Sequence, residues 1–192
     1  MRKLLALILM VLVSAGAVYA QDIATTEEAA PAAATTEREI YTVLRYGDAV
    51  FEPELWFVTA TESAARTTAT WTPRPEANYG SAVAYADYLH FDGGYTADGL
   101  DELFNDAWFA GTLSSYQSYT NTLSCDGAGV SLYEFNLRFD DADYVMRYWV
   151  EPVTETRVMA FFILFPARDV AARQTLEDYA KRLYPDLSVC PR

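Results

Sequence analysis

Apolar and polar side chains alternate along residues 132–139 and 144–150, with the period of two that is typical of half-buried β-strands. The large apolar side chains of these stretches are Tyr133, Phe135, Leu137, Phe139, Tyr144, Met146, Tyr148 and Val150. If Phe139 pairs with Tyr144 across the intervening turn, all of them share one core face. Residues 157–165 are apolar at nearly every position, which predicts a third strand in the middle of a sheet with layers on both sides.

Two amphipathic helices are predicted, one before and one after these strands. The first begins near Asp98, a residue suited to an N-cap, and ends near Gly111; the second begins near Asp169 and ends before Pro185. Their apolar residues recur at helical spacing and are Leu100, Leu103, Phe104, Ala107 and Trp108 in the first helix and Leu176, Tyr179, Ala180 and Leu183 in the second. Each helix therefore presents one apolar stripe that can pack against the sheet.

Three earlier apolar segments complete the predicted sheet. Residues 55–60, 67–71 and 83–91 are predicted to be strands, and the breakers around them are Pro73, Pro75, Gly80, Gly93 and Gly94. The whole pattern predicts an α+β domain, in which an antiparallel sheet of about five to six strands has helices packed on it.

The block from Leu100 to Leu187 also resembles a known superfamily. Its helix is followed by the turn Cys125-Asp126-Gly127-Ala128-Gly129, by three strands and by a last helix directly after Phe165 and Pro166. This order resembles the PsbP-like α/β/α sandwich, a superfamily that includes extrinsic photosystem subunits and small exported bacterial proteins. The resemblance implies a non-enzymatic docking or accessory role. It carries over no functional residue, because the chain matches no residue motif of the superfamily.

The N-terminal residues 1–20 have the pattern of a secretory signal peptide. Two basic residues precede an apolar run, and residues 18–20 approximate a small-x-small cleavage site. Residues 21–39 are rich in Ala, Thr and Glu and predict a flexible leader, because they hold too little apolar surface to offset the entropy of ordering. Residues 40–192 are predicted to form a single secreted or periplasmic domain. The alternative is an uncleaved leader that serves as an N-terminal anchor.

Charge narrows the range of partners. The 192 residues contain 27 acidic and 14 basic side chains, which gives a formal net charge of −13. Nucleic acid is not expected as a partner, because binding its phosphates requires clustered Lys and Arg. Stable membrane insertion is not expected after signal cleavage either. An unidentified protein or small molecule remains as the expected partner.

The two cysteines, Cys125 and Cys190, are predicted to form a disulfide, because export leads to an oxidising compartment. Such a bond would pin the C-terminus to the middle of the domain. The alternative is a pair of free thiols.

Groups able to carry out catalysis are scarce. His90 is the only histidine, and no Gly-x-Ser-x-Gly or Ser-x-x-Lys motif occurs. The chain is therefore expected, on balance, to be non-catalytic and to bind no cofactor. One histidine and two paired cysteines make no zinc ligand set, and the acidic clusters lack the spacing of a calcium-binding EF-hand, so no metal site is predicted. The clusters are Asp140, Asp141 and Asp143, and Asp92, Asp98, Asp101 and Glu102.

One group of polar residues follows from the predicted register. The register sets Asn136 opposite Arg147 and Glu134 opposite Trp149, on the face away from the large core residues, with the small Ala160 beside Arg147. In one interpretation, Arg147 holds a carboxylate or another anionic group on the floor of a groove, with Trp149 as a wall. In the other, Glu134 and Arg147 form a diagonal ion pair on a partly covered sheet face.

These observations favour an exported, non-catalytic binding or accessory domain that recognises a small ligand, an envelope polymer or a protein partner through the open side of its sheet. One alternative is a small secreted hydrolase, which two acidic side chains in one cleft would favour. The other is a structural surface protein tethered through an uncleaved leader.

Overall fold

The computed structural model describes residues 32–95 and 99–191, with side chains from residue 39 onward. The strands are β1 (Trp56–Glu62), β2 (Arg66–Pro73), β3 (Val83–His90), β4 (Ser118–Gly127), β5 (Val130–Phe139), β6 (Ala142–Thr154) and β7 (Arg157–Pro166). The helices are α1 (Ala32–Asp48), α2 (Leu100–Leu103), α3 (Asp106–Thr112) and α4 (Val170–Leu183), and a 3-10 turn spans Pro75–Ala77. The predicted signal peptide, most of the predicted leader and the predicted N-cap Asp98 lie outside the described residues.

The strands form one open antiparallel sheet in the order β1-β2-β3-β7-β6-β5-β4, which confirms the predicted α+β class. The predicted number of five to six strands was too low, because the alternation pattern gives no sign of β4. That strand lies at the edge of the sheet and is mostly exposed. A strand at the edge of a sheet can be exposed and polar. The polar sequence of β4 is therefore difficult to distinguish from that of a loop.

Strand β7 lies in the middle of the sheet and is buried on both faces, as its continuous apolar sequence predicts. Its alternate residues belong to two separate hydrophobic clusters. Phe161 and Ile163 pack in the cluster that also contains residues of α1 and α4. Phe162 and Leu164 pack on the opposite face, in the cluster that contains residues of α2 and α3. The sheet therefore has helices on both faces.

The hairpin between β5 and β6 shifts the pairing by two residues from the predicted register. Asp140 and Asp141 form a two-residue turn in which both have positive φ, 46° and 63°, so Phe139 pairs with Ala142 instead of Tyr144. A shift of two residues leaves each side chain on its predicted face. The large alternating side chains of both strands consequently do pack in, or against, a single cluster.

The register between β6 and β7 differs from its prediction more than the register between β5 and β6 does. Arg147 pairs with Ile163 and not with Ala160. The turn falls at residues 155–156, and the register is irregular between Pro152 and Thr154. The resulting offset is an odd number of residues, so Ala160 points to the face opposite Arg147 and does not lie beside the guanidinium.

The first predicted helix is broken into α2 and α3. Asn105 takes an extended conformation, and its side-chain oxygen accepts hydrogen bonds from the backbone N–H groups of Ala107 and Trp108. It therefore caps a new helix in the middle of the predicted one. The C-terminal helix follows its prediction: the side chain of Asp169 accepts a hydrogen bond from the backbone N–H of Ala172, and α4 ends before Pro185.

Helix α1 lies across β1, β2 and β3 and begins at Ala32, inside the segment predicted to be a leader. Val43 is fully buried against the sheet, and the next turn of the helix carries Gly47. With Ile40 and Leu44, these residues follow a helical spacing of three and four that the sequence does contain. Among the described residues, no helix is long and apolar enough to span a membrane.

Cys125 and Cys190 form the predicted disulfide, which joins β4 to the C-terminal segment. The chain leaves α4 and crosses the sheet face to reach β4. Along this path Leu187 contacts Trp149 of β6, and the sulfur of Cys190 lies 3.9 Å from the carbonyl oxygen of Leu132 of β5. Residues 187–190 therefore form a strap across three neighbouring strands.

Candidate functional site

A groove of about 560 Å³ lies on one face of the sheet, beside α4. Strands β4, β5 and β6 form its floor, α4 forms one side, and the C-terminal strap closes one end. The residues that line it are Thr122, Glu134, Asn136, Val145, Arg147, Phe165, Ala167, Arg173, Glu177, Lys181, Ser188 and Val189.

The polar floor follows from the alternation of β5 and β6. Tyr133 and Phe135 point into the core on one face, so Glu134 and Asn136 point to the other. In the observed register Arg147 pairs directly with Glu134. The diagonal ion pair expected from the sequence is therefore a direct cross-strand pair.

The side wall consists of charged residues at every fourth position of α4. Arg173, Glu177 and Lys181 follow this spacing and face the groove. Ala172 and Leu176, on another side of the helix, are fully buried against the sheet. The helix therefore presents an apolar stripe to the core and a charged stripe to the groove.

Arg147 connects three elements of the structure. Its Nε lies 3.3 Å from Oε2 of Glu134 on β5, and its Nη1 lies 3.0 Å from Oε1 of Glu177 on α4. Because the Arg147 side chain contacts two carboxylates and is only 11% exposed, its orientation is fixed. A guanidinium has five N–H donors, and its second Nη nitrogen meets no acceptor among the described residues. Donor capacity therefore remains at the floor of the groove.

Of the four predicted site residues, the structure brings Glu134, Asn136 and Arg147 together and places Trp149 elsewhere. Trp149 is fully buried beneath the C-terminal strap, where its indole stacks on Tyr184 with ring centroids 5.4 Å apart. The wall expected from Trp149 is formed by α4 and the strap. The sequence reasoning missed the three charged residues of α4, although their four-residue spacing is visible in the sequence.

Other charged groups form a separate cluster away from the groove. His90 Nε2 lies 3.0 Å from Oε2 of Glu39, whose second oxygen lies 3.5 Å from Nε of Arg157. Glu39 belongs to α1 and the other two residues to β3 and β7, so the cluster fastens the helix to the sheet. Within residues 32–95 and 99–191, no group of three or more His, Cys, Asp or Glu side chains is arranged to hold a metal ion.

Comparisons of the chain with protein families, with curated proteins and with solved structures find no match.

Proposed function

We propose that this protein is a non-catalytic binding domain whose groove receives a ligand through an anionic group. The observation that carries the proposal is the held guanidinium of Arg147. Glu134 and Glu177 fix its orientation, its second Nη nitrogen meets no acceptor among the described residues, and Arg147 lines the groove. Hydrogen bonds between a guanidinium and a carboxylate or phosphate are among the strongest in proteins, and a preset orientation reduces the entropy lost on binding.

The charge of the groove supports the same proposal. The lining contains three cations, Arg147, Arg173 and Lys181, and two carboxylates, Glu134 and Glu177. The whole chain instead has a formal net charge of −13. The lining therefore carries one more cation than carboxylates, whereas acidic side chains outnumber basic ones over the whole chain.

The proposal includes an exported, accessory role. The Cys125–Cys190 disulfide fits an oxidising compartment, and so does the signal-peptide pattern of residues 1–20. An antiparallel sheet with helices on both faces is compatible with the three layers of a PsbP-like α/β/α sandwich. That superfamily resemblance is part of the proposal and supports a docking role over a catalytic one.

A small hydrolase is the second candidate, because the groove contains two carboxylates, Glu134 and Glu177. Glycoside cleavage by such a pair requires one carboxyl group to act as a proton donor. Here both side chains contact the same guanidinium, Arg147, which occupies the space between them. The arrangement favours binding of an anion over acid–base catalysis.

Titration of the purified protein with acetate, glutarate and inorganic phosphate, followed by NMR, tests the proposal. We expect saturable shifts of the backbone amide signals of Glu134, Arg147 and Glu177. The shifts should vanish in Arg147→Met and persist in Arg138→Met, which removes an exposed arginine outside the groove. Equal shifts in both variants, or none in the native protein, would disprove anion binding here. Turnover of chromogenic glycosides that disappears in Glu177→Gln would instead establish the hydrolase.

A further inference from the structure

The charged stripe of α4 presents positive, negative and positive side chains in turn along the groove. Arg173, Glu177 and Lys181 are four residues apart, so successive members lie about 6 Å apart along the helix axis. The backbone positions of the two cationic residues are therefore about 12 Å apart along the axis, on either side of Glu177.

The middle of the groove differs from its two ends. Arg147 contacts both Glu134 and Glu177, so opposite charges compensate one another in the middle. Arg173 pairs with no carboxylate in the part of the chain that the structure describes, and Lys181 contacts only Asp178, an exposed residue outside the lining. Within the described residues, Arg173 therefore keeps an unpaired positive charge at one end of the stripe, and at the other end Lys181 has only a solvent-exposed partner.

An extended polypeptide matches this spacing. Side chains on one face of an extended backbone repeat every second residue, or about 6.6 Å, close to the 6 Å rise along α4 between successive charged residues. Asn136, Thr122 and Ser188 add an amide and two hydroxyl groups to the lining, which can bond to a peptide backbone.

Building on the proposed function, we infer that the ligand is an extended acidic segment of a protein partner. Its acidic side chains stand at positions i and i+4, opposite Arg173 and Lys181, and a hydrogen-bond donor such as Lys or Ser stands at i+2, opposite Glu177. A uniformly anionic polymer fits less well, because Glu177 repels a negative charge placed opposite it on the helix stripe.

Two isomeric peptides test this inference. The first is acetyl-Ala-Glu-Ala-Lys-Ala-Glu-Ala-amide, and the second has the same composition with its two glutamates adjacent. Both have the same net charge, so non-specific attraction is matched. Titration calorimetry at low ionic strength should give about threefold tighter binding of the first peptide, because the second can place only one glutamate opposite a cation and one exposed charge contact contributes about threefold. The preference should weaken at 0.5 M salt, where exposed charges are screened.

Substitutions in and next to α4 test which residues cause the preference for the spaced peptide. Arg173→Gln and Lys181→Gln should each lower the preference for the spaced peptide about threefold. Arg168→Gln, which removes an exposed arginine just before α4, should leave the preference unchanged. Equal affinity for the two peptides, or equal effects of all three variants, would overturn the inference. Acetate binding that depends on Arg147 would survive that result, so failure of the peptide model and failure of the proposed function are distinguishable.

Discussion

The indole Nε1 of Trp149 donates a 2.7 Å hydrogen bond to the carbonyl oxygen of Leu187. Both residues are buried, and the bond joins the C-terminal strap to the middle of the sheet. Ser188 and Val189, which follow Leu187 and line the groove, are therefore held in place by this buried hydrogen bond.

Trp149→Phe should loosen the C-terminal strap. The variant leaves the buried carbonyl of Leu187 without a donor and a small cavity beside Tyr184, and we expect a loss of about 2–3 kcal/mol in the free energy of unfolding. Urea denaturation measures that loss. Hydrogen exchange should accelerate at residues 187–190 and remain slow in β7. As a control, Trp108→Phe in α3 should leave exchange in the strap unchanged, and equal acceleration in both variants would contradict the proposed link.

Removal of the disulfide should destabilise the whole domain and release the strap. The bond joins residues 65 positions apart, and in the chain-entropy model a loop of that size contributes about 4 kcal/mol. We expect the double variant Cys125→Ala/Cys190→Ala to lose about that much in the free energy of unfolding. Urea denaturation of the native protein with and without a thiol reductant gives an independent measure. If reduction changed stability by less than about 1 kcal/mol, Leu187 and Trp149 would be sufficient to hold the strap.

Gly47 should be essential to the packing of α1. A Cβ built at this position would lie 2.0 Å from Cζ2 of Trp71, so Gly47→Ala cannot fit without displacing the helix or the indole. We expect the free energy of unfolding to fall by about 3 kcal/mol or somewhat less, which is the range for overpacked cores. Gly111 in α3 provides a matched control, because a Cβ there meets no atom within 4 Å. Gly111→Ala should be neutral or stabilising by up to about 1 kcal/mol. Thermal unfolding of the two variants compares them directly.

The strands of the meander could be predicted because alternation fixes which face a side chain takes. The exact register could not, because it depends on turns. The two-residue turn at Asp140 and Asp141 shifts the β5–β6 pairing by two positions, and this shift leaves each side chain on its predicted face of the sheet. The irregularity between Pro152 and Thr154 contributed to an odd offset, and that removed Ala160 from the candidate site.

The candidate site could be predicted only as far as its floor. Glu134, Asn136 and Arg147 share a face because their strands alternate, and this is visible in the sequence. Glu177 reaches Arg147 only because α4 packs back across the sheet, and the direction in which a helix packs is a tertiary property. Local capping also overrides hydrophobic pattern, as Asn105 shows by dividing a predicted helix.

Asp87 lies on the sheet face opposite the groove, and its carboxyl group should make the stability of the domain depend on pH. Its carboxylate accepts a 2.5 Å hydrogen bond from Thr68 and lies 3.5 Å from Nη1 of Arg66, and its side chain is 6% exposed. Burial raises the pKa of Asp87 above its ordinary value, and the charge of Arg66 and the bond from Thr68 only partly oppose this rise.

The sign of the effect follows from proton binding. Because the folded state holds the Asp87 proton more tightly than the unfolded state, the contribution of Asp87 is fully present below about pH 4 and is lost as pH rises to its folded-state pKa. Asp87→Asn removes the titrating group and keeps an acceptor for Thr68. We therefore expect the stability of the variant relative to the native protein to increase from pH 4 to pH 7 in urea denaturation series. A difference between native protein and Asp87→Asn that stays constant with pH would show that burial does not control this carboxyl group.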